Sequence, residues 1–580
     1  MTPSSPPVLP WWRSLASDRA DKLELASLAI ALLSLAIIGG WTIHPWLSAQ
    51  NTDGASYYLL GFSLAKAGAY VLPSLPTPQP VFNYPPLWPA MIAAVMKLLG
   101  SYQPAVVVPA LKGLTLALYA GAIALIYSLY RRRAPAKIAL LTALLLVVSG
   151  VAHRYWGDLL ADIPYLFLSA VFLWDFIKGA GQPGGPFASR SRAIRLLALL
   201  ALMPMMRPVG LMLGVAASAH ESLDRRWKSA ALALLATVSL YGGWLLSEHQ
   251  YRSVQTAGDP ALQRFVDASP VKISFLKYFV ARDPGDEDAS VNAAAPALLL
   301  KDSLRRLEQY GRMATETFWP ICLDGFRLPG LTRGLLMIFS LALIAFGFWR
   351  QPRALRILGL YTGFYLLLLL TYPYVSPRYL LPVLPWVTAA YLTGLTLALG
   401  ALQRCFPPER RERAALLAAA ALMIAATLAI TTQLARALPF WSESAVIRAA
   451  GVPGVSPRYG ALFATLAQIK AAQESGRLGR ATLIARKPEL AFFYTGVHAK
   501  RYPFYSDPNK LFAWLQAERD ALSATPGQAL YILDDGVFKE SRRLLAPALA
   551  AHRDQLTPVF SDASGSARLW KLAPLSPPEK

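Results

Sequence analysis

Hydrophobic positions along the chain gather into long runs, and the short segments between them are rich in arginine. Runs at about 23–44, 105–130, 137–151, 159–177, 230–246, 331–349, 355–372, 380–402 and 414–434 are apolar and mostly long enough to cross a bilayer as helices. A further run, 194–220, is interrupted by Arg207-Pro208 and reads as two short spans joined by a hinge. About eleven spans result. Basic clusters at Arg131-Arg132-Arg133, Arg225/Arg226/Lys228, Arg350/Arg353/Arg356 and Arg404/Arg410/Arg411/Arg413 then fall on one side without adjustment, which makes that side cytoplasmic. The first run is read as an uncleaved signal anchor with a cytoplasmic N-terminus, against the rival of a signal peptide cleaved after Leu47-Ser48-Ala49.

Three stretches break the pattern. An outer loop at 48–103 opens on Asp53 in a Thr-Asp-Gly corner. It continues as a helical segment with Tyr57, Leu60, Leu64 and Ala67 on one face, a pattern suited to lying on a membrane surface, and ends in Tyr84-Pro85-Pro86-Leu87-Trp88-Pro89. A second outer loop, 248–330, carries an acidic patch at 283–288 and an amphipathic helix near 298–318. The tail, 440–580, is polar. Segments 481–485, 529–533 and 567–571 read as strands, and Asp507 caps a helix over 508–522 with proline at its first position. The division expected is a transmembrane domain at 1–439 and a small outer α/β domain at 440–580.

Composition agrees with a polytopic α-helical membrane protein. Of 580 residues, 55% are hydrophobic and 16% charged. The net charge of +23 is explained by the cytoplasmic arginine clusters, so nucleic acid is not expected as a partner. Cys322 and Cys405 fall on opposite faces and cannot pair within the chain. Nucleotide-binding loops, a nucleophile elbow, H-E-x-x-H and a Cys/His zinc set are all missing from the sequence.

Charges at span ends are costly unless paired or used. Four fall at the outer level: Asp53, Asp162 in Asp162-Ile163-Pro164, Arg207 at the break, and Arg378 before Tyr379. Asp162 and Arg207 could be a structural ion pair, and Arg378 an interfacial anchor. Asp158 reads as a cap of the fourth span and His153 as a polar edge residue. The tail residues Arg486, Lys487, Lys500 and Arg501 read as a solvated or lipid-facing basic face.

The order of these motifs resembles the GT-C glycosyltransferases: an acid after the first span, Tyr57-Tyr58-Leu59, Gly68-Ala69-Tyr70, the Tyr84 to Pro89 run, Asp162-Ile163-Pro164, Arg207-Pro208-Val209-Gly210 and Ser376-Pro377-Arg378-Tyr379-Leu380-Leu381-Pro382. The tail segments Ala485-Arg486-Lys487-Pro488 and Arg501-Tyr502-Pro503-Phe504 add to it. The nearest branches are the lipid A aminoarabinose transferase and protein O-mannosyltransferase group and the rhizobial galacturonosyltransferase-like family. The resemblance implies a GT-C-like fold of about 11–13 transmembrane helices in the cytoplasmic (inner) membrane. It also implies inverting transfer of a sugar from a polyprenyl-phosphate donor to an envelope acceptor: lipid A or lipopolysaccharide, another glycan, a lipid or a protein.

Within that resemblance Asp53 is the expected base and Asp162 its orienting acid. Arg207 and Arg378 are expected at the leaving phosphate, with Tyr57, Tyr84 and Tyr379 lining the substrate. A divalent metal is possible in the family, but Asn83-Tyr84 replace the Glu-Lys of the aminoarabinose branch. The competing classes are a lipid-linked glycan flippase, for which a matching second broken span is missing, and a non-catalytic membrane scaffold.

Overall fold

The computed structural model describes residues 18–49, 51, 53–256, 296–319, 330–372, 375–456, 458–523 and 527–573. The acidic patch at 283–288 and Cys322 lie outside the described residues.

The chain begins with α1 (Asp18–Thr42), α2 (Asp53–Ala67), a ribbon of β1 (Val71–Leu72) and β2 (Gln79–Pro80), and α3 (Leu87–Leu99). Then come α4 (Pro104–Arg131), α5 (Ala136–Val147), α6 (Gly150–Tyr155) and α7 (Asp162–Ala180). The broken run forms α8 (Arg190–Met206) and α9 (Leu211–Leu223), followed by α10 (Trp227–Thr256). The bundle is completed by α11 (Pro296–Thr315), α12 (Gly330–Trp349), α13 (Arg356–Thr371), α14 (Leu384–Arg404) and the 40-residue α15 (Arg411–Ala450). Nine helical segments among the described residues are long and apolar enough to cross a membrane, with α5 and α6 forming one of them, and the α8–α9 pair supplies the broken span. This is a multi-pass membrane protein.

Helices pack closely where small residues allow it. A Cβ on Gly347 of α12 would come 1.9 Å from the Ala390 carbonyl, and one on Gly394 of α14 would come 2.0 Å from that of Leu343. At one end of the bundle, two clusters expected on the same face do meet: Asp224 accepts from Arg226 at 2.9 Å, Arg353 at 2.6 Å and Arg356 at 2.5 Å.

Beyond α15 come α16 (Gly460–Glu474), β3 (Arg480–Ile484), α17 (Pro488–Thr495), β4 (His498–Lys500), α18 (Pro508–Ser523), β5 (Gln528–Asp534), α19 (Ala546–Ala551), β6 (Leu556–Ser561) and β7 (Arg568–Leu572). The sheet order is β4-β3-β5-β7-β6; β3 is parallel to both neighbours, while β7 runs antiparallel to β5 and β6. Asp507 caps α18 through a 2.9 Å bond from the Asn509 amide.

The 48–103 loop departs from its expected form. Asp53 is the first residue of α2 rather than part of a loose corner. Gly54 to Gly61 are buried all round, so α2 is an internal helix and not a surface-lying one. Its small residues explain this: Gly61 packs against Ile92 and the Pro89 carbonyl of α3. On another face Tyr58 meets Phe493 of α17 edge-on at 5.1 Å. The α/β unit therefore docks on α2, aided by Tyr494, whose hydroxyl bonds both the amide and the carbonyl of Leu47.

Candidate active site

Each charged residue of the site stands where local sequence starts or interrupts a helix. Arg207 follows α8 in extended backbone, because the residue before proline avoids the helical region. Asp162 opens α7 and Asp53 opens α2, where the helix dipole favours a carboxylate. Arg378 sits in a single 3-10 turn, Pro377–Leu380, started by proline.

These elements bring the four charges together. Arg378 Nη2 lies 2.7 Å from Asp53 Oδ2, and Arg207 forms a buried ion pair with Asp162. Tyr379 joins the two pairs. Its ring faces the guanidinium of Arg378 at 5.0 Å and that of Arg207 at 5.8 Å, and its hydroxyl accepts from Arg378 Nη2 at 3.1 Å. Tyr57 is buried in the field of all four charges. Tyr84 donates its hydroxyl to Asp53 Oδ1 at 3.1 Å and meets Tyr57 edge-on at 5.0 Å. Tyr70 in turn donates to the Tyr84 carbonyl at 2.6 Å.

Asp162 is nearly closed off, with 5% of its side chain exposed, whereas Asp53 keeps 32%. Asp53 is thus the acid a substrate could reach. Burial would raise its carboxyl pKa, but Arg378, Lys487 and the Tyr84 hydroxyl reverse this and hold it below the usual carboxylate range. Burial likewise opposes the Arg378 charge, and Asp53 overrides it, so Arg378 stays protonated.

Lys487 is a correction to the sequence reading. It is not part of a solvated face: it stands at the start of α17, over the Phe538 ring at 5.5 Å, in the field of Asp53 and Glu489. Burial, with Arg486 and Arg501 beside it, brings its pKa down to about 8. The only sequence signal was its place in the Ala485 to Pro488 segment. Asp158 does not cap α7; it takes the side-chain amide of Asn51. His153 is buried, bonded to the Val147 carbonyl at 2.8 Å and to Trp441 Nε1 at 3.1 Å.

Asp53 and Asp162 are each engaged by an arginine, and no group of three His, Cys, Asp or Glu side chains that could hold a metal occurs among the described residues.

An acid at the head of an internal helix, an arginine at the break between α8 and α9, another in the turn before α14 and a docked α/β unit lie together in a fold shared with solved structures. The ArnT of Cupriavidus metallidurans bound to undecaprenyl phosphate superposes with a TM-score of 0.52 at 13% identity, covering 94% of this chain and 98% of that one. The oligosaccharyltransferase AglB of Archaeoglobus fulgidus, in complex with an inhibitory peptide and a dolichol-phosphate, gives 0.52 at 11% identity, covering 97% of this chain and 76% of that one. No family model matches the sequence, and no curated protein matches it.

Proposed function

We propose that the protein is a membrane glycosyltransferase. It moves a sugar from a polyprenyl-phosphate donor to a hydroxyl-bearing envelope acceptor on the outer side of the cytoplasmic membrane, with inversion. The observation that carries this reading is the half-open Asp53 carboxylate, held in its charged form 2.7 Å from Arg378 and beside Tyr84. The two similar folds with a bound polyprenyl or dolichol phosphate support the donor class. In this reading the N-terminus lies in the cytoplasm and the unit from 440 to 580 outside, as the one-sided arginine clusters suggest.

The chemistry needs one base, because a lipid phosphate is already a good leaving group. The acceptor oxygen attacks the anomeric carbon while its proton passes to Asp53. The bond from that carbon to the phosphate oxygen breaks on the opposite face, and its electrons stay on the polyprenyl phosphate. Arg378 and Arg207 receive the growing negative charge, a task suited to the guanidinium fork. Tyr379 holds both guanidinium planes, and Asp162 fixes Arg207. Tyr57 and Tyr84 line the sugar's place, and Tyr84 also steadies Asp53.

The test is to incubate membranes holding the protein with labelled polyprenyl-phosphate sugar and separate the products by thin-layer chromatography. Sugar leaving the donor, and failing to leave it with Asp53→Asn, supports transfer. Movement of intact donor across the bilayer without turnover would make the protein a flippase.

A further inference from the structure

Beside the Asp53 site, and sharing none of the seven residues expected there, lies a cavity of about 90 Å³. It is bounded by the end of α1, by α6 and by the last turns of α15. Some 10–15 Å³ suffices for one water, so there is room for a group of several oxygens.

Its wall mixes apolar surface with charges of both signs: Lys112, Arg154 and Arg458, and the carboxylates of Asp158 and Glu443. Lys112, 2% exposed, donates to the Trp46 carbonyl at 2.8 Å and lies 3.3 Å from His44 Nδ1. Asp158 is engaged by Asn51. Two donors of the lining are left over. Trp46 Nε1 and Arg154 Nε are buried, and neither has a hydrogen-bond acceptor among the described residues. An unmet buried N–H is costly, and more so on a charged group. The Arg154 guanidinium also lies over the Tyr155 ring at 5.5 Å and the Phe440 ring at 5.4 Å. Arg154 Nε and the Trp46 indole N–H, both lacking an acceptor, are donors suited to an oxyanion.

We infer that this cavity is the acceptor subsite, and that it holds a phosphate or carboxylate group of the acceptor on Arg154 and Trp46. The assignment to the acceptor rests on the transfer reading above; the oxyanion site does not. In an inverting displacement the attacking and leaving oxygens lie on opposite faces of the anomeric carbon, so the acceptor needs a hold apart from Arg207 and Arg378. The cavity is placed for this. Asp158 lines it and also bonds Asn51, two residues before Asp53. The Asp158 carbonyl presses on α2 so closely that a Cβ on Gly54 would come within 2.0 Å of it.

The test is calorimetric titration of the full-length protein in detergent. The probes are inorganic phosphate, dihexanoyl phosphatidic acid, and dihexanoylglycerol as the neutral control. Saturable binding of a phosphate-bearing probe but not of the neutral one is expected. It should weaken about tenfold or more in Arg154→Gln, as loss of a charge-assisted bond requires, and also weaken in Trp46→Phe, which guards against misfolding of either variant alone. Binding of the lipid alone identifies a headgroup; binding of inorganic phosphate alike identifies a soluble anion. Equal binding in wild type and both variants, loss only in Arg378→Lys, or no binding of either phosphate probe would overturn the site. If binding follows Arg154 and Trp46 while no preparation releases sugar from a labelled donor, the transfer reading fails and the oxyanion site stands.

Discussion

Arg378 Nη2 and Asp53 Oδ2 stand 2.7 Å apart, which couples the head of an internal helix near the N-terminus to a turn late in the bundle. The contact ties the proposed base to the cation proposed for the leaving phosphate. Arg378→Lys keeps the charge but loses the fork that can touch a carboxylate and a phosphate together. Transfer should fall at least about tenfold at unchanged protein level, measured as kcat/KM for the donor, since a lost charge-assisted bond is worth about 1.5–3 kcal/mol. Full activity would reduce Arg378 to an anchor.

Asp162 and Arg207 form the buried pair, with 5% and 12% of their side chains exposed. Removing one partner of such a pair costs about 3–5 kcal/mol. Asp162→Asn should therefore lower the melting temperature in detergent as well as the activity. A variant that melts as wild type does would place no stabilising role on the pair.

The pH profile should be asymmetric. Asp53 titrates below the usual carboxylate range, so the base form persists and activity holds from neutral pH into mild acid. Lys487, with its pKa near 8, is a cation below that pH and neutral above it. Activity should fall as pH rises through about 8, and Lys487→Arg should move that alkaline limb upward. An alkaline limb unmoved in Lys487→Arg would remove Lys487 from the site.

Sidedness is tested by single cysteines in a background lacking Cys322 and Cys405. Ala67→Cys and Ser506→Cys, at exposed positions, should react with an impermeant thiol reagent in intact spheroplasts, and Gln182→Cys should not. The reverse pattern would invert the topology.

The sequence exposed the site's charges and offered one of their pairings, Asp162 with Arg207, but not that of Asp53 with Arg378. Asp53, Asp162, Arg207 and Arg378 stood out because charge at the end of an apolar run is expensive. Which acid meets which arginine depends on how the helices pack. Lys487 stayed hidden because a lysine in a polar domain is ordinary, and only the docking of α17 on α2 brings it to Asp53. The burial of α2 was missed for a related reason. Periodicity marks an apolar face, while Gly54, Ser56, Gly61 and Ser63 let the other faces pack as well. In the tail, β3, β5 and β7 fell within a residue or two of the expected segments; the three-residue β4 and the proline-bearing β6 carry too weak a pattern to be read.

The central claim is that Asp53 is the base. Asn is nearly the same shape as Asp but cannot take the acceptor's proton. The Asp53–Arg378 pair is more open than the Asp162–Arg207 pair, so Asp53→Asn should fold and lose less melting temperature than Asp162→Asn. The decisive measurement is the single-turnover rate of sugar transfer by Asp53→Asn with saturating labelled donor. A positioned base contributes about 10²–10⁴-fold, so the rate should drop by at least about a hundredfold with donor binding retained. Transfer at more than about a tenth of the wild-type rate would contradict the claim, and the base would then have to be sought at Asp162 or Asp158.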